Sequence, residues 1–277
     1  MKKLFIVGIL SLSFLSVNAQ NLPKPSPSCE IEQQVGLTNL KLEYSRPSVK
    51  DRAIFGDLVA FDKVWRLGAN APTMLSSDKD LTIDGQTLKA GKYAVFAIPS
   101  EKEWTVVFNT DTEQWGAGNY DEKKNVVSTK VATQKNKAVE SLSITFQELT
   151  TASGHLVIEW AETRVAIPFK MDTDKFAMEN IATAIKEGKD LEKVYYNAAS
   201  YVSEAKGDNK MALNYLDKSM EVKAYHANTF LKARILKEEG KDAEALKTAK
   251  EAHKLALAAE SMGWADYIKG TIERWQK

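Results

Sequence analysis

The residues of this sequence best suited to chemistry are cations and amides in loops. In YSRPSVKDRAIFG, residues 44–56, three basic side chains lie within seven positions, and VWRLGANAPT, residues 64–73, adds an indole, a guanidinium and an amide. Forked guanidinium donors beside indole faces can bind a carboxylate, a phosphate or a sugar. The candidate ligand-binding residues are Arg46, Lys50, Arg52, Trp65, Arg66, Asn70, Thr73 and Trp115.

A structural role competes with this interpretation. The same arginines could donate to loop carbonyls and stack on tryptophan inside the fold. Within VWRLGANAPT we expect Trp65 to anchor the loop in the core, and Gly68 and Asn70 to adopt turn conformations. Pro72 restricts the residue before it to extended backbone.

Metal and cofactor chemistry is not expected. The sequence has three histidines and one cysteine, too few at close spacing for a zinc site. NTDTE, residues 109–113, starts like a calcium loop, but Gln114 and Tyr120 stand where that loop needs glycine and glutamate. No glycine-rich phosphate loop is present, so no nucleotide cofactor is implied.

Few residues of the sequence support a catalytic function. There is no G-x-S-x-G motif, and His155 follows Ser153-Gly154 in a predicted hairpin turn. On a regular strand Glu159 and Glu162 would face opposite sides, which does not suit a carboxylate pair. The alternative to a non-catalytic protein is a hydrolase of envelope or dietary glycans that uses Glu159 or Asp111 with Arg66.

The segment that must position these residues has a β pattern from about residue 35 to 169. Leu40, Leu42 and Tyr44 alternate with polar residues, and Asp84-Gly85 separates two short runs as a two-residue hairpin does. Further strands are predicted for KYAVFAIP, WTVVFN, VVSTKVAT, SLSITFQEL, HLVIEWA and TRVAIPF. This pattern predicts an antiparallel β-sandwich or flattened barrel.

The rest of the chain is predicted to be helical. No proline follows Pro168, and glycines 188, 207, 240 and 263 are predicted to end helices. GDNKMALNYLDKS, residues 207–219, matches GKDAEALKTAKEA, residues 240–252, at an offset of 33. That period suits tetratricopeptide-like hairpins, with a first repeat at helix 191–206 and a capping helix at 264–275. The fold class is therefore α+β with segregated domains.

The N-terminal residues predict export. MKKLFIVGILSLSFLSVNAQ has a basic start, an apolar run and a small-x-small site, as in a signal peptide of residues 1–19 cleaved after Ala19. We expect a mobile Pro/Ser-rich lead at 20–29, a β domain at 30–171 and a helical domain at 172–277. The mature protein would lie in the periplasm or outside the cell. Cys29 is interpreted as a residue of the lead, and one cysteine excludes an internal disulfide framework.

Charge and hydropathy narrow the partners. The 38 basic and 37 acidic residues nearly cancel, which gives no electrostatic reason to expect nucleic acid. No segment after the leader is long and apolar enough to predict a membrane span. We expect a protein partner on the helical repeats and a small ligand or glycan on the β domain; a structural assembly role is a further alternative.

Three motifs resemble a known family. RPSVKDRAIFGDLVAFDKVWRLGANAPT, LKAGKYAVFAIPSEKEWTVVFN and QWGAGNY occur in the order seen in DUF2911, a secreted domain of unknown function of Bacteroidetes type. The resemblance covers residues 28–170 and implies a secreted β domain, often followed by tetratricopeptide-like helices. It implies no activity and no catalytic residues. The family usually has an acidic residue after Gly-Ala-Asn, where this sequence has Ala71-Pro72.

Overall fold

The computed structural model describes residues 22–277, which divide into two compact units, one ending at Met171 and the other beginning at Asp172. The predicted signal peptide lies outside the described residues. Between residues 22 and 277, the length and apolarity needed for a bilayer crossing are not met by any helix.

The first unit is built from two antiparallel sheets. The six-stranded sheet has the order β1-β2-β3-β6-β7-β8, and the four-stranded sheet has the order β5-β4-β10-β9. The strands of the described residues are β1 Ser28–Val35, β2 Thr38–Ser45, β3 Thr73–Ser77, β4 Leu81–Ile83, β5 Gln86–Leu88, β6 Gly91–Ile98, β7 Glu103–Asn109, β8 Asn125–Ala132, β9 Gln134–Gln147 and β10 Ser153–Lys170. The predicted antiparallel β domain is confirmed. Neither sheet closes on itself, so the barrel alternative is not.

Alternating burial explains how the two sheets meet. Leu40, Leu42 and Tyr44 of β2 are buried, whereas the residues between them are more exposed. The Tyr44 hydroxyl reaches the other sheet and accepts the backbone N–H of Ile144 in β9 at 3.0 Å. A buried tyrosine needs such a polar partner, and this bond ties the six-stranded sheet to the four-stranded one.

The Asp84-Gly85 hairpin forms as predicted. Both residues have positive φ, 50° and 72°, between β4 and β5. That backbone twist matches the twist of the flanking strands, which is why this dipeptide favours two-residue hairpins.

Two strand predictions were wrong in their boundaries. The segments HLVIEWA and TRVAIPF form one strand, β10, whose register shifts between Glu159 and Thr163. Ala161, between the shifts, has φ 50°, so a bulge and not a turn interrupts the alternation. His155 accordingly lies within β10, paired with Gln147, and not in a hairpin turn.

The N-terminal lead is shorter than expected. Strand β1 begins at Ser28 and includes Cys29, which pairs with Tyr44 of β2. Cys29 is therefore a partly buried strand residue with a free thiol.

The second unit is helical. Its helices are α1 Thr173–Glu187, α2 Leu191–Lys206, α3 Asn209–Lys223, α4 His226–Glu238, α5 Asp242–Ala258 and α6 Met262–Trp275. Gly188 and Gly207 adopt left-handed conformations at the ends of α1 and α2, and Gly240 follows α4 with φ 74°. Gly263 was predicted to end a helix but lies in the first turn of α6.

Small side chains form much of the helical core. Ala233 of α4 packs in one cluster with Ala249, Ala252 and Ala256 of α5 and with Ala265 of α6. Alanine has no side chain beyond Cβ, so the helices can approach closely at these positions. Ala212 and Ala245, which correspond to each other at the 33-residue offset of the repeat, are both fully buried.

Candidate ligand-binding site

The first basic loop, residues 46–52, is attached to the edge of β9. The Val49 N–H donates to the Glu140 carbonyl at 2.7 Å, and the Leu142 N–H donates to the Pro47 carbonyl at 2.9 Å. The Arg46 Nε donates to the Leu142 carbonyl at 2.8 Å. These bonds satisfy an otherwise open strand edge and hold the loop in place.

The second loop, within residues 64–73, is attached to β6 through Trp65. The N–H of Trp65 donates to the Ala97 carbonyl at 2.7 Å, and the Ala97 N–H donates back at 2.9 Å. The indole Nε1 donates to the Gly68 carbonyl at 3.2 Å. Leu67, Gly68 and Asn70 all have positive φ, so the chain turns sharply after Arg66.

An aromatic cluster supports this loop from inside. The indole of Trp65 stacks on that of Trp160 in β10, with centroids 5.8 Å apart and an interplanar angle of 17°. Phe55 and Trp104 meet Trp65 edge-on. Trp65 is therefore a buried anchor of the loop.

The two loops enclose a cavity of about 290 Å³, called here the Arg66 cavity. It brings together four of the predicted residues, Lys50, Arg52, Trp65 and Arg66. The other residues that line it are Pro25, Ser26, Pro47, Ser48, Leu58, Val59, Gly68, Ala69 and Trp160.

The Arg66 cavity is lined by cations without acidic residues. Arg66 Nε is shielded from solvent and finds no hydrogen-bond acceptor among residues 22–277. Arg52 donates to the carbonyls of Val49 at 2.9 Å and Ser48 at 2.6 Å, so part of its donor set holds its own loop. Glu140 accepts the backbone N–H of Lys50 at 3.0 Å from outside the lining.

The remaining predicted residues do not line the cavity. Arg46 is engaged with β9, as described above. The Asn70 amide donates to the Ser45 hydroxyl at 3.1 Å, and the Thr73 hydroxyl donates to the Leu67 carbonyl. These two side chains stabilise the loop backbone. Trp115 is 73% exposed in a separate loop.

The carboxylates of the hydrolase alternative have other partners. Glu159 accepts the Asn136 amide at 2.7 Å and lies outside the cavity lining, although its neighbour Trp160 belongs to it. Asp111 pairs with Lys124 at 2.7 Å, and this ammonium lowers the pKa of the Asp111 carboxyl. A carboxyl with a lowered pKa is poorly suited to act as a general acid.

Glu159 and Glu162 lie in different surroundings, since the Glu159 side chain is largely buried and the Glu162 side chain is not. The strand between them is irregular, so the alternation argument does not apply to it. Glu162 is exposed, with its nearest cation, the ammonium of Lys135, at 4.0 Å. Across residues 22–277, His, Cys, Asp and Glu side chains form no group of three or more that could hold a metal ion.

Sequence reasoning missed two walls of the cavity. Pro25 and Ser26 belong to the lead that was predicted to be mobile, yet they line the cavity, and Pro27 accepts the Arg46 N–H at 2.9 Å. Trp160 arrives from β10, far along the chain. Composition and spacing carry no information about either approach, because both depend on how the sheets are paired.

Comparison with known proteins identifies the family of the first unit. The family model DUF2911, described as a protein of unknown function, matches residues 26–169. Neither the curated proteins nor the solved structures contain a match to the chain. The matched segment includes both loops of the Arg66 cavity. It also spans more than half of the chain, which therefore belongs to the DUF2911 family.

Proposed function

We propose that this protein is an exported, non-catalytic binding protein whose β unit holds a small anionic ligand in the Arg66 cavity. Its helical unit is proposed to bind a partner protein. The observation that carries the first part is the charge of the cavity lining, which contains three cations and no acid.

The charges of the cavity favour an anion. Lys50, Arg52 and Arg66 line it, and no Asp or Glu does. None of the three ammonium or guanidinium groups forms an ion pair with a carboxylate within residues 22–277. A carboxylate, phosphate or sulfate group matches the forked geometry of a guanidinium.

A neutral sugar is a poorer match. Sugar-binding sites that use tryptophan present an open indole face, whereas Trp65 and Trp160 cover each other and are buried. A cavity of about 290 Å³ suits a small acid. Small-molecule sites are commonly about 300–1,000 Å³, so this cavity lies at the lower limit.

A tetratricopeptide-like character is proposed for the helical unit. Helices α3 and α5 begin at Asn209 and Asp242, which reproduces the 33-residue offset of the sequence repeat. Helices α2 and α3 are joined by two residues, and α4 and α5 by three, as in stacked hairpins. Such stacks leave extended surfaces for protein partners.

Calorimetric titration at low salt tests the anion proposal. The ligands are acetate, benzoate, inorganic phosphate, sulfate and, as a neutral comparison, glucose. We expect at least one anion and no glucose to bind. Arg66→Ala should weaken anion binding about tenfold or more, since a hydrogen bond to a charged group contributes about 1.5–3 kcal/mol.

Two further variants make this experiment specific. Arg66→Lys keeps the charge but loses the fork and should recover only part of the affinity. Lys102→Ala removes an exposed cation that lies outside the cavity lining and should bind like wild type. Anion binding that is equal in wild type and Arg66→Ala, or no anion binding at all, would contradict the proposal.

A further inference from the structure

Two cavities lie along α6. One cavity of about 540 Å³ is lined by Met262, Trp264 and Tyr267, and a second of about 250 Å³ is lined by Arg234, Arg274 and Trp275, among others. Tyr267 lines both cavities. These six residues define the α6 groove.

One end of the groove is apolar and exposed. Met262 is 57% exposed, Trp264 39% and Tyr267 54%. The rings of Trp264 and Tyr267 pack against Phe230 of α4, with centroid distances of 6.3 Å and 5.6 Å. Large apolar side chains that are both exposed and rigid are typical of binding surfaces, because little rotamer freedom is lost on binding.

The other end of the groove is cationic. The Arg274 guanidinium donates to the Thr271 hydroxyl at 2.8 Å, and no carboxylate of residues 22–277 lies within ion-pair distance of Arg234 or Arg274. Lys237 also lines this end, but its ammonium is paired with Asp242 at 2.8 Å. Glu238 is the one acid in this lining, so Arg234 and Arg274 are not matched by an equal number of carboxylates.

We propose that the α6 groove binds an extended acidic segment of a partner protein, with an apolar side chain at the Trp264 end and carboxylates at the arginine end. This inference deepens the partner-binding role proposed for the helical unit and rests on it. From Met262 to Arg274 the helix rises about 18 Å at 1.5 Å per residue. An extended peptide at about 3.3 Å per residue covers that length with about six residues.

Charge distinguishes this occupant from others. A purely apolar helix would leave Arg234 and Arg274 facing an apolar surface at a desolvation cost. A segment with carboxylates at that end pairs with both guanidinium groups and keeps its apolar side chain on the aromatic end. Arginine and aromatic residues are also the side chains that most often dominate binding energy at protein interfaces.

Fluorescence anisotropy with the full chain tests the proposal. The probes are two labelled hexapeptides, Leu-Trp-Ser-Ala-Glu-Glu and the same residues in reverse order, so that either chain direction can bind. Each has a partner peptide in which both glutamates are glutamine. We expect at least one acidic peptide to bind and its glutamine version to bind at least tenfold more weakly.

Variants locate the binding. Trp264→Ala and the double variant Arg234→Ala, Arg274→Ala should each weaken the acidic peptide about tenfold, whereas Trp115→Ala and Lys186→Ala, on exposed positions outside the groove, should not. Circular dichroism checks that each variant is folded. If Trp264→Ala does not fold, Trp264→Phe combined with the arginine variants carries the test.

Three outcomes would overturn the proposal. These are no binding of either acidic peptide, equal binding of acidic and glutamine peptides, or binding that the arginine variants leave unchanged. A dimer in sedimentation that Trp264→Ala converts to a monomer would assign the groove to a second copy of the chain. Anion binding and its loss in Arg66→Ala are measured separately, so a negative peptide test does not contradict the proposal that the Arg66 cavity binds an anion.

Discussion

Trp65 and Trp160 stack with their ring centroids 5.8 Å apart, and this contact joins the loop that carries Arg66 to strand β10. The two residues belong to different parts of the first unit, since Trp65 pairs with β6 through its backbone. The position of Arg66 is therefore determined by an aromatic contact at the adjacent residue.

Removal of this contact should lower the stability of the first unit. Trp65→Ala is expected to lower the free energy of unfolding by about 3–5 kcal/mol, the usual cost of deleting a buried tryptophan. Trp115→Ala, at an exposed tryptophan, is the matched control and should change it by less than about 0.5 kcal/mol. Urea unfolding followed by near-ultraviolet circular dichroism measures both. Equal, small effects would mean that Trp65 is not an anchor.

Gly68 should be intolerant of a side chain. Its φ is 145°, and a Cβ there would lie 2.9 Å from the Ser45 carbonyl oxygen. Gly68→Ala is expected to destabilise the first unit by about 1–3 kcal/mol through backbone strain and this clash. Gly118→Ala, at a glycine with open space around its Cβ position, is the control. Thermal unfolding midpoints compare the two, and an unchanged midpoint for Gly68→Ala would refute the argument.

Asn228 should be a point of high sensitivity in the helical unit. Its amide donates to the Ser219 hydroxyl at 2.9 Å and to the Lys223 carbonyl at 3.0 Å, and its oxygen accepts the Tyr225 N–H. Asn228→Ala leaves several buried groups unsatisfied and should cost about 2–4 kcal/mol in unfolding free energy. Asn197→Ala, on an exposed position of α2, serves as the control in chemical denaturation. A loss no larger than that of the control would contradict the role of this network.

The helical unit should lose stability at high pH. Burial raises the pKa of Tyr201 to about 12, with the Asp174 carboxylate at its hydroxyl adding to the shift, and burial likewise raises the pKa of Tyr225 to about 12. The unfolded chain loses these protons first, near pH 10, so it binds fewer protons than the folded chain between about pH 10 and 12. Stability is thus fully present below about pH 10 and falls as the pH rises towards 12.

Absorbance at 295 nm against pH, together with thermal unfolding at each pH, measures this behaviour. Tyr201→Phe should flatten part of the decrease in stability, because phenylalanine has no proton to lose. A decrease of the same size in wild type and in a variant that carries both Tyr201→Phe and Tyr225→Phe would show that other groups are responsible.

Local patterns were sufficient for much of the fold. The alternation of Leu40, Leu42 and Tyr44 placed β2, and Asp84-Gly85 placed its hairpin, because side-chain period and positive φ are properties of neighbouring residues. The helix predicted at 191–206 has the bounds of α2. The alternation failed at Ala161, since the register shifts there come from extra residues in the partner strand, β9, which the sequence of β10 alone does not show.

The sequence by itself determined the class of residues available for binding: arginines, a lysine and a tryptophan in two polar loops of a β domain. Only the tertiary structure decided which of them are free. Arg46 donates to a carbonyl 96 residues away and Asn70 donates to a serine of β2, whereas Arg66 lines a cavity completed by Trp160 and by the N-terminal lead. Hydrogen-bond partners distant in sequence are set by sheet pairing and loop packing, and no local pattern encodes which cation those partners leave unpaired.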